Sequence, residues 1–219
     1  MNLLAIDTST EACSAALHID GVTRSRFEFA PKRHASLILP MVDQLLAEAQ
    51  FTLSALDAIA FGRGPGAFTG VRIATGIAQG LAFSVDLPLV PVSTLATLAQ
   101  SINGQYEYIA AIMDARMGEV YYGLYRSNDV VSLVGTESVM SPDRIIAGNC
   151  THCFGVGSGW TSYAEILQNI FGECLAGHRA DQYPHARDMV PLAQRAFNNG
   201  ELQSPEHAAP VYLRNNITG

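Results

Sequence analysis

The chain has 219 residues and a formal net charge of −7, with 48% of residues apolar and only 15% charged, against about 25% charged in a typical globular protein. That length allows one large or two small domains with a true core, and the sparse charge predicts that another protein covers part of the surface. The 13 cations, twelve arginines and Lys32, are too few and too scattered to hold RNA or DNA unaided, because that affinity comes from clustered basic side chains releasing counterions.

The first residues, MNLLAIDTST, have no basic stretch ahead of the apolar run, so no signal peptide is expected; a cytoplasmic location with reduced cysteines follows. Residues 2–7 and 13–19 read as strands, and Asp20-Gly21 turns the second into a third strand from Val22 to Phe29. A helix follows from His34 to Ala49, with Ile38, Met41, Val42 and Leu45 facing the core and Leu39 and Leu46 forming a second apolar flank. A short strand, Ala58 to Phe61, runs into the glycine-rich loop GRGPGAF and then a helix over residues 69–85 that carries one charge, Arg72. On that helix Ile73, Ile77 and Leu81 form the line assigned to the chain's own sheet, leaving Val71, Thr75, Ala78, Gln79, Ala82 and Phe83 on the far side. Those six, with Arg72, Leu39 and Leu46, are the expected partner interface, in which two helices from each subunit make a four-helix bundle. The helix is too short and glycine-rich to span a membrane. Strand Leu89 to Val92 and helix Thr94 to Ile102 complete this half.

After Asn103-Gly104 the pattern restarts, so domains of 1–103 and 104–219 are expected. Strands Tyr108 to Asp114, Glu119 to Arg126 and Val130 to Met140 lead to a helix near Pro142 to Ala147, a strand Thr151 to Gly155 and a helix Trp160 to Phe171. LLAIDTS of the first half aligns with AAIMDAR of the second, a weak internal duplication that puts Asp7 and Asp114 at equivalent strand ends. The terminal PVYLRN is expected as a late-packing strand, with a return to the first lobe left open.

Two halves that each begin with three antiparallel strands and continue as alternating helix and strand resemble the actin, sugar-kinase and heat-shock-chaperone superfamily. The implied fold class is α/β, a duplicated actin-like or sugar-kinase-like (ribonuclease H-like) two-lobe fold. LLAIDTST, HASLILPMV, GRGPGAFTGVRI, VSTL, DARMGEVYYGLY and PVYLRNN more closely resemble the TsaB (YeaZ) family, over essentially the whole chain. The resemblance implies an accessory subunit for making threonylcarbamoyladenosine in tRNA. The implied partners are a TsaD-like catalytic subunit, a TsaE-like ATPase reached through the complex, and a second copy when the chain is alone; tRNA is contacted only indirectly.

The residues agree with a subunit that has no chemistry of its own, no metal and no cofactor. The TsaD relative carries two histidines four apart after the equivalent strand, and here those positions are Thr94 and Leu98, which cannot replace imidazoles. The turn between Asp7 and Cys13 has no glycine to let backbone N–H groups approach a phosphate. Asp7, Thr8, Ser9, Arg63, Gly64 and Asp114 are retained as the residual nucleotide- or phosphate-binding set, weighed against a role as turn and cap residues. GRGPGA fits the dinucleotide pattern, but no acidic residue ends the next strand and the GK[ST] of a P-loop is missing, so helix packing competes with phosphate binding there. The alternative function is a stand-alone metallopeptidase-like or ATP-hydrolysing enzyme of the same fold.

Cys150, Cys153, Cys174 and His178 have a spacing that could hold zinc, but Cys150 and Cys153 are expected on opposite sides of a strand. GVGSGW misses the nucleophile-elbow spacing by one residue. His34 reads as a helix-start or surface residue, and Trp160, Tyr121, Tyr122 and Tyr125 as core and hairpin packing.

Overall fold

The computed structural model describes residues 1–148 and 150–214. The first three strands, β1 (Leu3–Asp7), β2 (Ala12–Ile19) and β3 (Val22–Phe29), form an antiparallel meander. Asp20 (φ 48°) and Gly21 (φ 82°) both adopt the left-handed region that a two-residue hairpin turn needs. Helix α1 (His34–Ala49) then leads to β4 (Ala58–Gly64), α2 (Phe68–Val85), β5 (Leu89–Ser93) and α3 (Thr94–Gln100). β4 lies parallel to β1 and β5 parallel to β4, giving the order β3-β2-β1-β4-β5.

The second half repeats this arrangement. Strands β6 (Tyr108–Arg116), β7 (Glu119–Arg126) and β8 (Ser132–Met140) form the meander, and β9 (Cys153–Val156) and β10 (Leu175–Arg179) add on in parallel. The second sheet therefore runs β8-β7-β6-β9-β10, the order and directions of the first. The weak alignment of LLAIDTS with AAIMDAR corresponds to β1 and β6, the central strands of two copies of one unit. The expected helix at 142–147 is a single 3₁₀ turn, Pro142–Arg144, and the expected helix at 160–171 is broken into α4 (Gly159–Ser162) and α5 (Ala164–Phe171).

Every residue of β1 is buried, because helices cover both faces of its sheet. Leu4 and Ile6 join Ile38, Met41, Val42 and Leu45 of α1 on one face, as expected for α1. The other face is covered by α6 (Ala186–Asn198), which contacts all five strands of that sheet. No helix was expected there. Its start is held by the side chain of His185, which accepts from the N–H of Arg187, and by Ser14 Oγ, which accepts from the N–H of Ala186 at 2.9 Å. In the second unit Trp160 and Phe171 pack with Ile112, Tyr122, Leu124 and Leu167, and Tyr125 is also buried, so these aromatic residues are core.

By its contacts the chain divides into Met1–Thr97 with Pro184–Val211, and Leu98–Tyr183 with the residues from Tyr212 onward, where the sequence led us to expect a division after 103. Residues 184–211 belong with the first unit because α6 completes its second face and because Leu89 and Gln203 exchange backbone hydrogen bonds at 2.8 and 2.9 Å. The expected terminal strand is not formed over Pro210–Arg214, where Val211 makes one backbone bond, to the carbonyl of Arg63, at 2.8 Å. Asn215 and Asn216 of the terminal motif lie outside the described residues.

Candidate functional site

The glycine-rich loop and the turn after β1 are folded onto each other. Asp7 ends β1 fully buried, and its Oδ1 accepts from the N–H of Ser9 at 2.9 Å and from Ser9 Oγ at 2.7 Å. Its Oδ2 has no hydrogen-bond partner and sits where a side chain on Gly62 would have to go. Burial pushes the Asp7 carboxyl up to about 6 from its ordinary 3.8, with the Ser9 donors opposing the rise. On the loop side, the Ala67 N–H donates to Ser9 O at 2.7 Å and Thr8 Oγ1 donates to Gly70 O at 2.7 Å. A Cβ on Gly66 or Gly70 would run into the carbonyls of Ser9 and Thr8 respectively. These glycines are required by the close approach of the chain's own β1–β2 turn. Arg63 Nε is buried with no partner, and Gly64 adopts φ 101° before a cis Gly64-Pro65 peptide.

Asp114 is the counterpart in the second unit. Its Oδ1 accepts from the N–H of Arg116 at 2.7 Å, two residues on, as Asp7 does from Ser9. The loop VGSG after β9 folds back on β6 as the first loop folds on β1. Gly157 and Gly159 approach Ile112 too closely for a side chain, and Ser158 Oγ accepts from the Asp114 N–H at 3.1 Å. GVGSGW is thus the repeat of the glycine loop, a match legible once β9 is aligned with β4. Both aspartates thus accept a bond from the N–H two residues on, as a turn carboxylate does.

The faces of α2 are reversed from the sequence expectation. Gly70, Val71, Ala74, Thr75, Ala78 and Ala82 are buried, with Ala78 and Ala82 in the core cluster, while Ile73, Ile77 and Leu81 lie half-buried along its flank. Close approach explains the reversal: α2 is drawn onto the backbone of Thr8 and Ser9, and only small residues fit beneath a helix at that distance. Gln79 also turns inward, its amide donating to the carbonyls of Pro205 and Ala208 at 2.9 and 3.0 Å. Leu46 packs half-buried against the core. Of the expected interface residues, Leu39, Arg72 and Phe83 are exposed, Phe83 at 71%. The outer line of α2 is instead Thr69, Arg72, Gly76, Gly80 and Phe83, and a Cβ on Gly76 or Gly80 would meet nothing within 4 Å. Arg72 lies over the Phe68 ring, 3.3 Å from its centroid.

Thr94 and Leu98 are both fully buried on α3. Among the described residues no group of three or more His, Cys, Asp or Glu side chains could hold a metal ion. Cys150 and Cys153 do not lie on opposite sides of a strand: Cys150 precedes β9, and the left-handed turn at His152 (φ 46°) breaks the alternation and brings the two thiols together. His178 is stacked on Trp160 at 5.1 Å. His34 opens α1 as a buried residue, not a surface one. Among the described residues, no helix is long and apolar enough to cross a membrane.

Two sheets of identical strand order, each with an aspartate at or near the end of its first strand accepting from the N–H two residues on and a glycine loop laid against that strand, define a duplicated actin-like protein. The profile of the family described as "TsaD: tRNA N6-adenosine threonylcarbamoyltransferase" matches residues 27–218. The "tRNA threonylcarbamoyladenosine biosynthesis protein TsaB" of Escherichia coli (strain K12) is 44% identical over 99% of this chain and 96% of its own length. That of Bacillus subtilis (strain 168) is 38% identical over 98% of this chain and 94% of its own. Among solved structures, "YeaZ from Pseudomonas aeruginosa" superposes with a TM-score of 0.90 at 47% identity, covering 97% of this chain and 99% of that one. The chain belongs to the TsaB (YeaZ) family, within the wider group that the TsaD profile describes.

Proposed function

We propose that this protein is a non-catalytic accessory subunit in the biosynthesis of threonylcarbamoyladenosine in tRNA, and that it acts by docking a TsaD-like catalytic subunit. The observation that carries the reading is the outer surface of α2 beside α1: Arg72, Gly76, Gly80 and Phe83 with Leu39, an uncovered face with one charge and two glycines that nothing in the chain itself requires. Exposed helix glycines cost stability, so their use here is explained by a partner helix whose backbone comes close. The same face serves self-association when the chain is alone, and a TsaE-like ATPase and tRNA join only through the complex. The lack of chemistry is supported by Thr94 and Leu98 in place of the paired histidines, and by a β1–β2 turn that has no glycine and is packed directly against the glycine-rich loop. Asp7, Thr8, Ser9, Arg63, Gly64 and Asp114 then serve the turns and not a nucleotide.

The test mixes the purified chain with the catalytic subunit and measures complex mass by light scattering, then modification of tRNA with the threonylcarbamoyl donor. The chain alone yields no modified tRNA, the pair forms a defined complex, and Phe83→Asp or Gly80→Leu abolishes it with an unchanged circular dichroism spectrum. Modification by the isolated chain, or full complex formation by both variants, refutes the reading. ATP turnover by the isolated chain would instead favour the enzyme alternative.

A further inference from the structure

Three of the four cysteines, Cys150, Cys153 and Cys174, gather on one side of the second unit although they are spread over 25 residues of sequence. Cys150 Sγ and Cys174 Sγ stand 3.4 Å apart, and Cys153 Sγ is within hydrogen-bonding reach of Cys150. Cys150 lies in the irregular segment before β9, Cys174 ends a 3₁₀ turn (Gly172–Cys174) before β10, and Cys153 is a fully buried residue of β9 itself. Cys174 is half-buried and Cys150 is almost covered.

We propose that Cys150 and Cys174 are a reversible dithiol–disulfide site, oxidised by hydrogen peroxide or by a low-molecular-weight disulfide such as oxidised glutathione. A disulfide needs a sulfur–sulfur distance of about 2.05 Å, so closing a 3.4 Å gap asks for a movement of about 1.4 Å. Cys150 sits outside helix and strand, and Cys174 ends a single 3₁₀ turn with its thiol donating to the Phe171 carbonyl at 2.7 Å. Rotation of the Cys174 side chain out of that bond together with a shift of the Cys150 segment supplies the movement, whereas Cys153 is held in the β9 ladder. Accessibility sets the order of events. The Cys174 thiolate attacks peroxide, its sulfur takes one oxygen to become a sulfenic acid, and one water leaves after protonation. Cys150 sulfur then displaces the second oxygen as water, so two thiols lose two protons and two electrons and the peroxide is reduced to two waters. With oxidised glutathione, Cys174 sulfur first forms the mixed disulfide and expels one glutathione thiolate; Cys150 then displaces the second, so one disulfide is exchanged for another. Burial and the Cys174 contact push the Cys150 thiol up to about 11, which makes it the resolving partner and not the first nucleophile. The bond would tie the entry of β9 to the entry of β10 and enclose β9, α4 and α5 in one covalent loop.

The test treats the full chain with hydrogen peroxide or excess oxidised glutathione, denatures it, alkylates all free thiols and maps the peptides without reduction. The expected result is the loss of two of the four alkylatable thiols, a peptide linking 150 to 174, recovery by dithiothreitol, and a higher melting temperature for the oxidised form. Cys153→Ser, which leaves the reacting pair, retains the cross-link, and Cys174→Ser loses it while its circular dichroism shows a folded chain. Four free thiols after treatment, a Cys150–Cys153 link, or disulfides only between chains would overturn the proposal.

Discussion

Three glycines on α2 should respond to the same substitution with opposite signs. At Gly70 an added methyl meets the carbonyl of Thr8, with the carbonyl carbon 3.2 Å away, so the first turn of the helix must withdraw by about 1 Å to restore ordinary carbon–oxygen contact. That withdrawal stretches the 2.7 Å bond from Thr8 Oγ1 to Gly70 O. Overpacking costs roughly 1 to 3 kcal/mol and the hydrogen bond about 1 more, against a gain of about 1 from replacing a helical glycine. Gly70→Ala should therefore lose roughly 1 to 3 kcal/mol and lower the melting temperature by roughly 2 to 12 °C in a chain of this size. At Gly76 and Gly80 the added methyl meets nothing within 4 Å, so only the propensity gain remains. Each should gain about 1 kcal/mol, or about 2 to 4 °C, while weakening self-association or docking of the catalytic subunit. Thermal melts of the three single variants at a dilution that keeps the chain monomeric would decide the matter. A Gly70→Ala protein as stable as the parent, or a Gly76→Ala protein less stable than it, would refute the packing argument.

Two titrating groups and one core position give further tests. Asp7 has a folded-state value of about 6, above its ordinary 3.8, so the folded chain holds that proton more tightly and the Asp7 contribution to stability falls as pH rises from about 4 to 6, by about 3 kcal/mol. Asp7→Asn keeps an acceptor for Ser9 and should remove that slope from urea midpoints measured against pH; an unchanged slope would show that the carboxyl is not the source. His185, stacked on Phe27 at 5.1 Å and lowered by burial from 6.5 to about 4, acts in the opposite direction: its stabilisation is present above 6.5 and lost as pH falls towards 4. His185→Asn retains a side-chain acceptor for the Arg187 N–H and should reduce the acid-side loss; if acid sensitivity stays the same, His185 does not contribute to it. Ala78→Glu buries an unpaired charge in the core and should cost about 3 to 5 kcal/mol, whereas Phe83→Ser, on the exposed face, should stay within about 0.5. Circular dichroism melts of the pair check this, and a folded, stable Ala78→Glu protein would overturn the buried placement of Ala78 in favour of the outward one expected from the sequence.

The sequence by itself determined the strand and helix order as far as α3 and the strands β6 to β9, because alternation, the Asp20-Gly21 turn and the apolar face of α1 are local signals that packing did not override; neither β10 nor α6 was legible in it. It also aligned Asp7, the last residue of β1, with Asp114 near the end of β6, since that depends on which residues stand at a position and not on what surrounds them. Tertiary structure alone decided which side of α2 faces the sheet. A helix wheel weighs large apolar residues as inward, but the glycine loop draws α2 against the backbone of Thr8 and Ser9, and at that distance alanine and glycine take the centre of the contact while Ile73, Ile77 and Leu81 pack half-buried at its flank. It also decided the destination of residues 184–211. The second face of the first sheet has to be covered, and the helix that covers it comes from the far end of the chain, held by the Ser14, His18 and Leu89 contacts over separations that no local pattern encodes. The three gathered thiols have the same origin: Cys150 and Cys174 are 24 residues apart, and they meet because β9 and β10 are neighbours in a parallel sheet, with both sulfurs on the segments that enter those strands.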